Sequence, residues 1–257
     1  VSNAANFYDR EGDSYVPTGL GVSPWNGTTQ GGMALAGLTA HLFGSVQSLS
    51  PMQTTRLTID ILGAVPMEPL VPEIRLLREG KRIQLLELEL KAKGRSWLRA
   101  SALRARTEDT PARPEPLDRA LPDTLDLPRS TIDLAEVIAI EGHFMEPGPA
   151  ARWVRFTKPI VAGTMLAPLE RIAMLADWGS GIGSWLSPKE WTLANLDISL
   201  YLSRMPRGEW LLLDTSSETA GNGLAIANNR LGDCEGMIGT SHQTVFLNHR
   251  QIHSSRP

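Results

Sequence analysis

Cysteine is nearly missing from this chain: Cys234 stands alone among 257 residues. One thiol cannot build a disulfide framework, nor a cysteine-based zinc or iron–sulfur cage. An excess of either charge is missing too. The 25 Lys and Arg against 28 Asp and Glu leave a net charge of −3. A dedicated nucleic-acid binder shows a basic face, so no nucleic-acid partner is expected. No apolar run reaches the roughly 18 residues of a membrane-spanning helix. Residues 1–10 are polar and lack the basic-then-apolar pattern of a signal peptide. The expectation is a cytoplasmic, reducing location. Also absent are a GxSxG elbow, a Walker loop and a GxGxxG fingerprint, so no cofactor is expected. The five histidines, His41, His143, His242, His249 and His253, show no metal-ligand arrangement. The pair His249 and His253 is spaced i, i+4 but sits in a polar tail with no helix signal, so no metal site is expected.

The composition present is that of a globular chain, long enough for one large domain or two small ones. Residues 107–128 carry Pro111, Pro114, Pro116, Pro122 and Pro128 among many charges. Proline removes backbone donors and fixes φ, so this stretch reads as a surface linker. With a second soft segment at 141–151, the division is 1–106, a linker at 107–150, and 151–257. The two outer parts look alike in outline. Residues 31–43, GGMALAGLTAHLF, are apolar nearly all round, which predicts a helix buried on most sides. Strand-like runs follow at 56–62, 71–78, 83–93 and 96–106. The alternation of 87–93, ELELKAK, marks a strand with one wet face. In the second part a short strand at 153–156 precedes a helix at 166–178, which Gly179-Ser180-Gly181 is expected to stop. Strands are expected at 191–202, 210–218, 224–231 and 237–247. One buried helix followed by an antiparallel meander, twice, predicts an α+β fold in which each sheet curls around a helix.

Three residues break local rules. Asp177 follows the apolar run Ile172-Ala173-Met174-Leu175-Ala176 at the expected C-terminal end of a helix. The helix dipole and the apolar neighbours both disfavour its charge there. Either it reaches solvent or bonds the turn after it, or it is functional. Gln243 lies inside the last strand, on a face with Met237, Gly239, Val245 and Leu247. Its amide needs a partner, unless the position is an edge or faces solvent. Asn195 sits in WTLANLDISLYL, where Ala194, Leu196, Ile198, Leu200 and Leu202 form an apolar face. Alternation points Asn195 away from that face, unless a bulge re-aims it.

The run Leu196-Asp197-Ile198-Ser199-Leu200, then Arg204, then Glu209-Trp210-Leu211-Leu212, resembles the double-hotdog acyl-CoA thioesterases of the thioesterase II type. So do the last strand with Gln243 and the glycine-led helix QGGMALAGL. The resemblance implies two tandem hotdog units, each an antiparallel sheet wrapped around a central helix. It implies a place in lipid metabolism, with acyl-CoA as substrate. Family catalysis is assigned to an Asp on the second long helix, a Thr on the next strand and a Gln on the last. Those positions fall on Asp177, Asn195 and Gln243, so Asn stands where the family has Thr. Met205 also stands where a proline would follow the family's arginine.

Thioester hydrolysis needs an oriented water, a proton acceptor, and donors aimed at the developing oxyanion. Asp177 is the expected base or water-orienter, with Asn195 and Gln243 holding its water beside an acyl channel. Backbone N–H groups at Gly31 and Gly32, at a helix N-terminus, are the expected oxyanion donors. Arg204 and Arg207 are candidates for the CoA phosphates, or plain surface charges. A hotdog hydratase would need a histidine shortly after Asp177, and WGSGIGSWLS has none. The alternative is a non-catalytic binder of acyl-CoA or another apolar ligand on the same scaffold. Open sheet edges predict a homodimer or a dimer of dimers.

Overall fold

The structure, a computed structural model, describes residues 4–113, 116–122, 129–143 and 146–250. Pro114, Pro128 and His253 lie outside the described residues. A small hairpin of β1 (Tyr8–Glu11) and β2 (Ser14–Pro17) leads to α1 (Gly32–Gly44). The first meander follows: β3 (Met52–Ile61), β4 (Val71–Glu79), β5 (Ile83–Ala92) and β6 (Arg95–Arg106). Next come β7 (Arg129–Ile132), β8 (Ala135–Glu141), β9 (Ala150–Phe156) and α2 (Pro168–Ile182). The chain closes with β10 (Trp191–Asn195), β11 (Asp197–Leu202), β12 (Leu211–Thr219), β13 (Leu224–Asp233) and β14 (Gly236–His249).

The large sheet joins both halves. Its order is β4-β5-β6-β3-β11-β14-β13-β12-β9-β8-β7, with β10 also paired to β14. The seam is β3 against β11, antiparallel, with Ser199 opposite Thr58. Strand β5 shows how the sequence specifies the faces. Leu86, Leu88, Leu90 and Ala92 are buried, while Glu87, Glu89 and Lys91 line the outer face. The two helices pack on each other and on the sheet. Leu35 and Leu38 of α1, Ile172 and Leu175 of α2, and Leu88 and Leu231 of the sheet belong to one core. The architecture is α+β, an antiparallel sheet curled around two central helices.

Two differences from the sequence reading have clear causes. Strands β7 and β8 fall within 107–150; β7 pairs with β8 and β8 with β9, so part of the expected linker is sheet. Leu117 and Leu121, from the proline-rich part, pack over Ile138, Trp153 and Leu212. Helix α2 runs through Gly179 and Gly181 to Ile182 rather than stopping at them. Gly179 serves close approach instead. A Cβ there would stand 1.9 Å from Asn229 Oδ1.

Candidate active site

Because α2 continues past the glycines, Asp177 is not at the helix end but more than a turn before it. Its compensation comes from the other helix. The Met33 N–H in the first turn of α1 faces the Asp177 carboxylate. That turn carries the positive end of the α1 dipole. Contact is so close that a Cβ on Gly32 would lie 2.1 Å from Asp177 Oδ1. Glycine at 32 is therefore needed for the two helices to meet here. Burial pushes the Asp177 carboxyl up from 3.8 to about 6, against the opposing pull of Asn195 and the Met33 N–H. The residue still keeps part of its surface accessible. A carboxylate tuned toward neutrality, with one side open, suits proton transfer near pH 7.

Asn195 does face this site. The strand expected at 191–202 is broken at Leu196, between β10 and β11. Asn195 lies opposite Val245, whereas Ser199 lies opposite His242, a one-residue slip along β14. The slip turns Leu196 outward and Asn195 inward. Asp197 stabilises the irregularity, accepting from the Thr244 N–H at 2.7 Å. Asn195 Nδ2 donates to Asp177 Oδ1 at 2.7 Å and to the Asp177 carbonyl at 3.2 Å. Its Oδ1 is buried and has no hydrogen-bond partner among the described residues.

Gln243, 1% exposed, meets the same helix from β14. Its Oε1 accepts from the Ser180 N–H at 3.1 Å, and its Nε2 donates to the Asp177 carbonyl at 2.8 Å. A backbone donor and a backbone acceptor thus fix which end of the amide is which. The contact is to the backbone of Asp177, not to its carboxylate. One Nε2 hydrogen remains for another acceptor. Its inward companions are Ser241, Val245 and Leu247. Gly239, paired with the buried Leu231 and Leu202, keeps that face, whereas Met237 drops off it because β14 carries an extra residue at Ile238, between the pairs Gly232–Met237 and Leu231–Gly239. The sequence reading missed Asn229 of β13, also 1% exposed, whose Nδ2 donates to Gln243 Oε1 at 3.1 Å. Alternation could have found it. Ala225, Ala227, Asn229 and Leu231 share the buried face of β13.

Three other expected site residues are placed differently. The Gly31 N–H is spent on the Gly21 carbonyl at 2.8 Å, so Gly31 is no oxyanion donor. Gly32 does sit beside Asp177. Arg204 does not offer its fork to a ligand. It grips Asp233 with both amino groups, at 2.5 and 2.7 Å. Burial raises the Asp233 carboxyl, but Arg204 and the backbone N–H groups of Arg207 and Glu235 outweigh it and hold it below the ordinary range. Arg207 pairs with Glu235 at 2.6 Å. Clefts of about 320 and 190 Å³ open on the sheet, lined by residues such as Arg75 and Glu87 or Asp214 and His242. Neither is lined by Asp177. Trp178, the residue after Asp177, donates from Nε1 to Met33 Sδ, and its ring meets Phe156 edge-on at 5.3 Å. Among the described residues, no group of three or more His, Cys, Asp or Glu is placed to hold a metal ion. No described helix is long and apolar enough to cross a membrane.

Residues 104–247 match the acyl-CoA thioesterase C-terminal domain family, and residues 22–105 match the N-terminal one. The chain belongs to the acyl-CoA thioesterase family. No curated protein matches it. Among solved structures it is similar to the acyl-CoA thioesterase II TesB2 of Mycobacterium marinum. Identity there is 17% over 88% of this chain and 93% of that one, with a TM-score of 0.68. It is similar to a hot dog fold protein from Alicyclobacillus acidocaldarius, at 15% identity over 96% and 97% of the chains and a TM-score of 0.72. A tesB protein from Mycobacterium avium subspecies paratuberculosis gives 18% identity over 94% and 96%, with a TM-score of 0.63. At these identities the likeness is one of fold, the double hotdog. Membership of the acyl-CoA thioesterase family makes the chain a thioester hydrolase.

Proposed function

We propose that this thioesterase hydrolyses fatty acyl-CoA through a water held between Asp177, Asn195 and Gln243. The observation that carries the reading is the pair of acceptors around that position. Asp177 keeps an accessible side, and Asn195 Oδ1 is buried without a hydrogen-bond partner among the described residues while its Nδ2 holds Asp177 Oδ1. A water admitted there as the substrate opens the site donates one hydrogen to each oxygen and can accept from the spare Gln243 hydrogen. Asn195 thereby fills the role that a threonine hydroxyl has elsewhere in the family.

In the reaction the water oxygen bonds to the thioester carbon as Asp177 takes its proton. The carbonyl oxygen gains charge beside the first turn of α1, where the Gly32 N–H and the dipole favour it. The C–S bond then breaks, and Asp177 returns the proton to the thiolate. Products are the free acid and CoA thiol. The acyl chain enters by displacing the Trp178 ring from its seat against Met33 and Phe156. The CoA phosphates find their cations elsewhere than Arg204, whose charge is already paired.

Free thiol released from a panel of acyl-CoA chain lengths tests the reading. Turnover with a chain-length optimum is expected. Saturable binding without thiol release would overturn it and leave a non-catalytic acyl binder.

Among the described residues the sheet ends at β4 and β7, with no further strand paired to either. Strand β4 exposes Val71, Leu76 and Leu77 at 45–50%. We infer that a second copy covers this edge, giving the homodimer expected from the fold. Light scattering should return at least twice the 28.1 kDa chain mass, and a monomer at working concentration would refute it.

A further inference from the structure

Resting on that proposed reaction, we propose that Asn229 is a positioning residue that sets the orientation of Gln243, and that Gly179 exists to admit it. The amide of Asn229 lies between the last strand and α2. Its Nδ2 donates to Ser241 Oγ at 2.9 Å and to Gln243 Oε1 at 3.1 Å, and approaches the Ala176 carbonyl at 3.5 Å. Its Oδ1 is buried with no hydrogen-bond partner among the described residues. A buried amide oxygen left unpaired is unfavourable, and an apolar residue of similar size would avoid it. The orientation is nonetheless forced. Turning the amide over would set Oδ1 against Gln243 Oε1, oxygen to oxygen.

Gln243 could not turn in response, because the Ser180 N–H requires an acceptor and the Asp177 carbonyl a donor. The chain of amides therefore runs one way, from Asn229 through Gln243 to the helix segment bearing Asp177. Space for it exists only because residue 179 has no side chain, since a Cβ would stand 1.9 Å from Asn229 Oδ1 and 2.5 Å from its Nδ2. Without Asn229, Oε1 keeps only the Ser180 donor. The Gln243 side chain gains freedom, and its spare hydrogen no longer holds one direction. Small displacements of groups around a reacting water cost one to two orders of magnitude in rate.

A double-mutant cycle reads this directly. Asn229→Ala, Gln243→Ala and the pair are assayed on the acyl-CoA that the protein turns over fastest, with thermal midpoints recorded. Asn229→Ala should lower kcat about 10-fold and leave KM within about twofold. On the Gln243→Ala background it should cost less than about twofold, because its effect passes through Gln243. Asn229→Val fills most of the space, removes the donors and should match the loss, which serves if the alanine variant does not fold. Unchanged kcat, or a full 10-fold loss on the Gln243→Ala background, overturns the inference. Should Asp177→Asn also retain kcat, the proposed reaction itself has failed; an inactive Asp177→Asn beside a fully active Asn229→Ala refutes the role of Asn229 alone.

Discussion

Replacing Asp177 with Asn should stabilise the protein at neutral pH while removing its activity. The Asp177 carboxyl is raised from 3.8 to about 6, chiefly by burial. A raised carboxyl pKa means that the folded state prefers the protonated form. That contribution is fully present below pH 3.8 and is lost as pH rises through about 6. At pH 8 the folded chain therefore carries an ionised group it disfavours by 6 − 3.8, or about 2 units. At about 1.4 kcal/mol per unit the ceiling is about 3 kcal/mol. Partial accessibility and the loss of a charge-assisted bond from the Met33 N–H reduce this, so a gain of about 1–3 kcal/mol is expected. Asparagine preserves the oxygen that Asn195 Nδ2 bonds. Urea unfolding of both proteins at pH 8 and pH 4 measures the difference. The gain should shrink toward zero at pH 4. An Asn variant no more stable than its parent at pH 8, or one with an equal gain at both pH values, refutes the reasoning.

Other substitutions have equally definite outcomes. Gly32→Ala puts a methyl 2.1 Å from Asp177 Oδ1; kcat should fall at least about 100-fold in the thiol-release assay, because the carboxylate must move. Arg204→Ala strips the buried Asp233 of its cation. It should cost about 3–5 kcal/mol in denaturant unfolding and leave KM for acyl-CoA nearly unchanged, whereas a raised KM with intact stability would return Arg204 to the substrate. Trp178→Ala clears the space beside Met33 and Phe156. Its kcat/KM should shift by about 10-fold toward longer acyl chains, and an unaltered chain-length profile would place the acyl path elsewhere.

How much of this was legible in the residues follows from their periodicity. The helix of 31–43 and the alternation of 87–93 carry their burial in their own pattern, and both fold as that pattern requires. Asp177 and Gln243 stood out because each is polar on an apolar face. Asn195 was hidden by the slip at Leu196, which reverses the faces within what reads as one unbroken strand. Gly179 reads as a helix stop because a sequence cannot distinguish a glycine that ends a helix from one that makes room for Asn229. The grip of Arg204 on Asp233 joins residues far apart in the chain, where spacing gives no signal.

The pH dependence of kcat/KM on the preferred acyl-CoA tests the central claim most directly. With Asp177 as the base, activity belongs to its ionised form, whose pKa lies at about 6. The profile should rise about tenfold per unit at low pH, bend near pH 6 and level off above pH 7. A profile with no ionisation between pH 5 and 7, or the same bend surviving in Asp177→Asn at comparable rate, would contradict it.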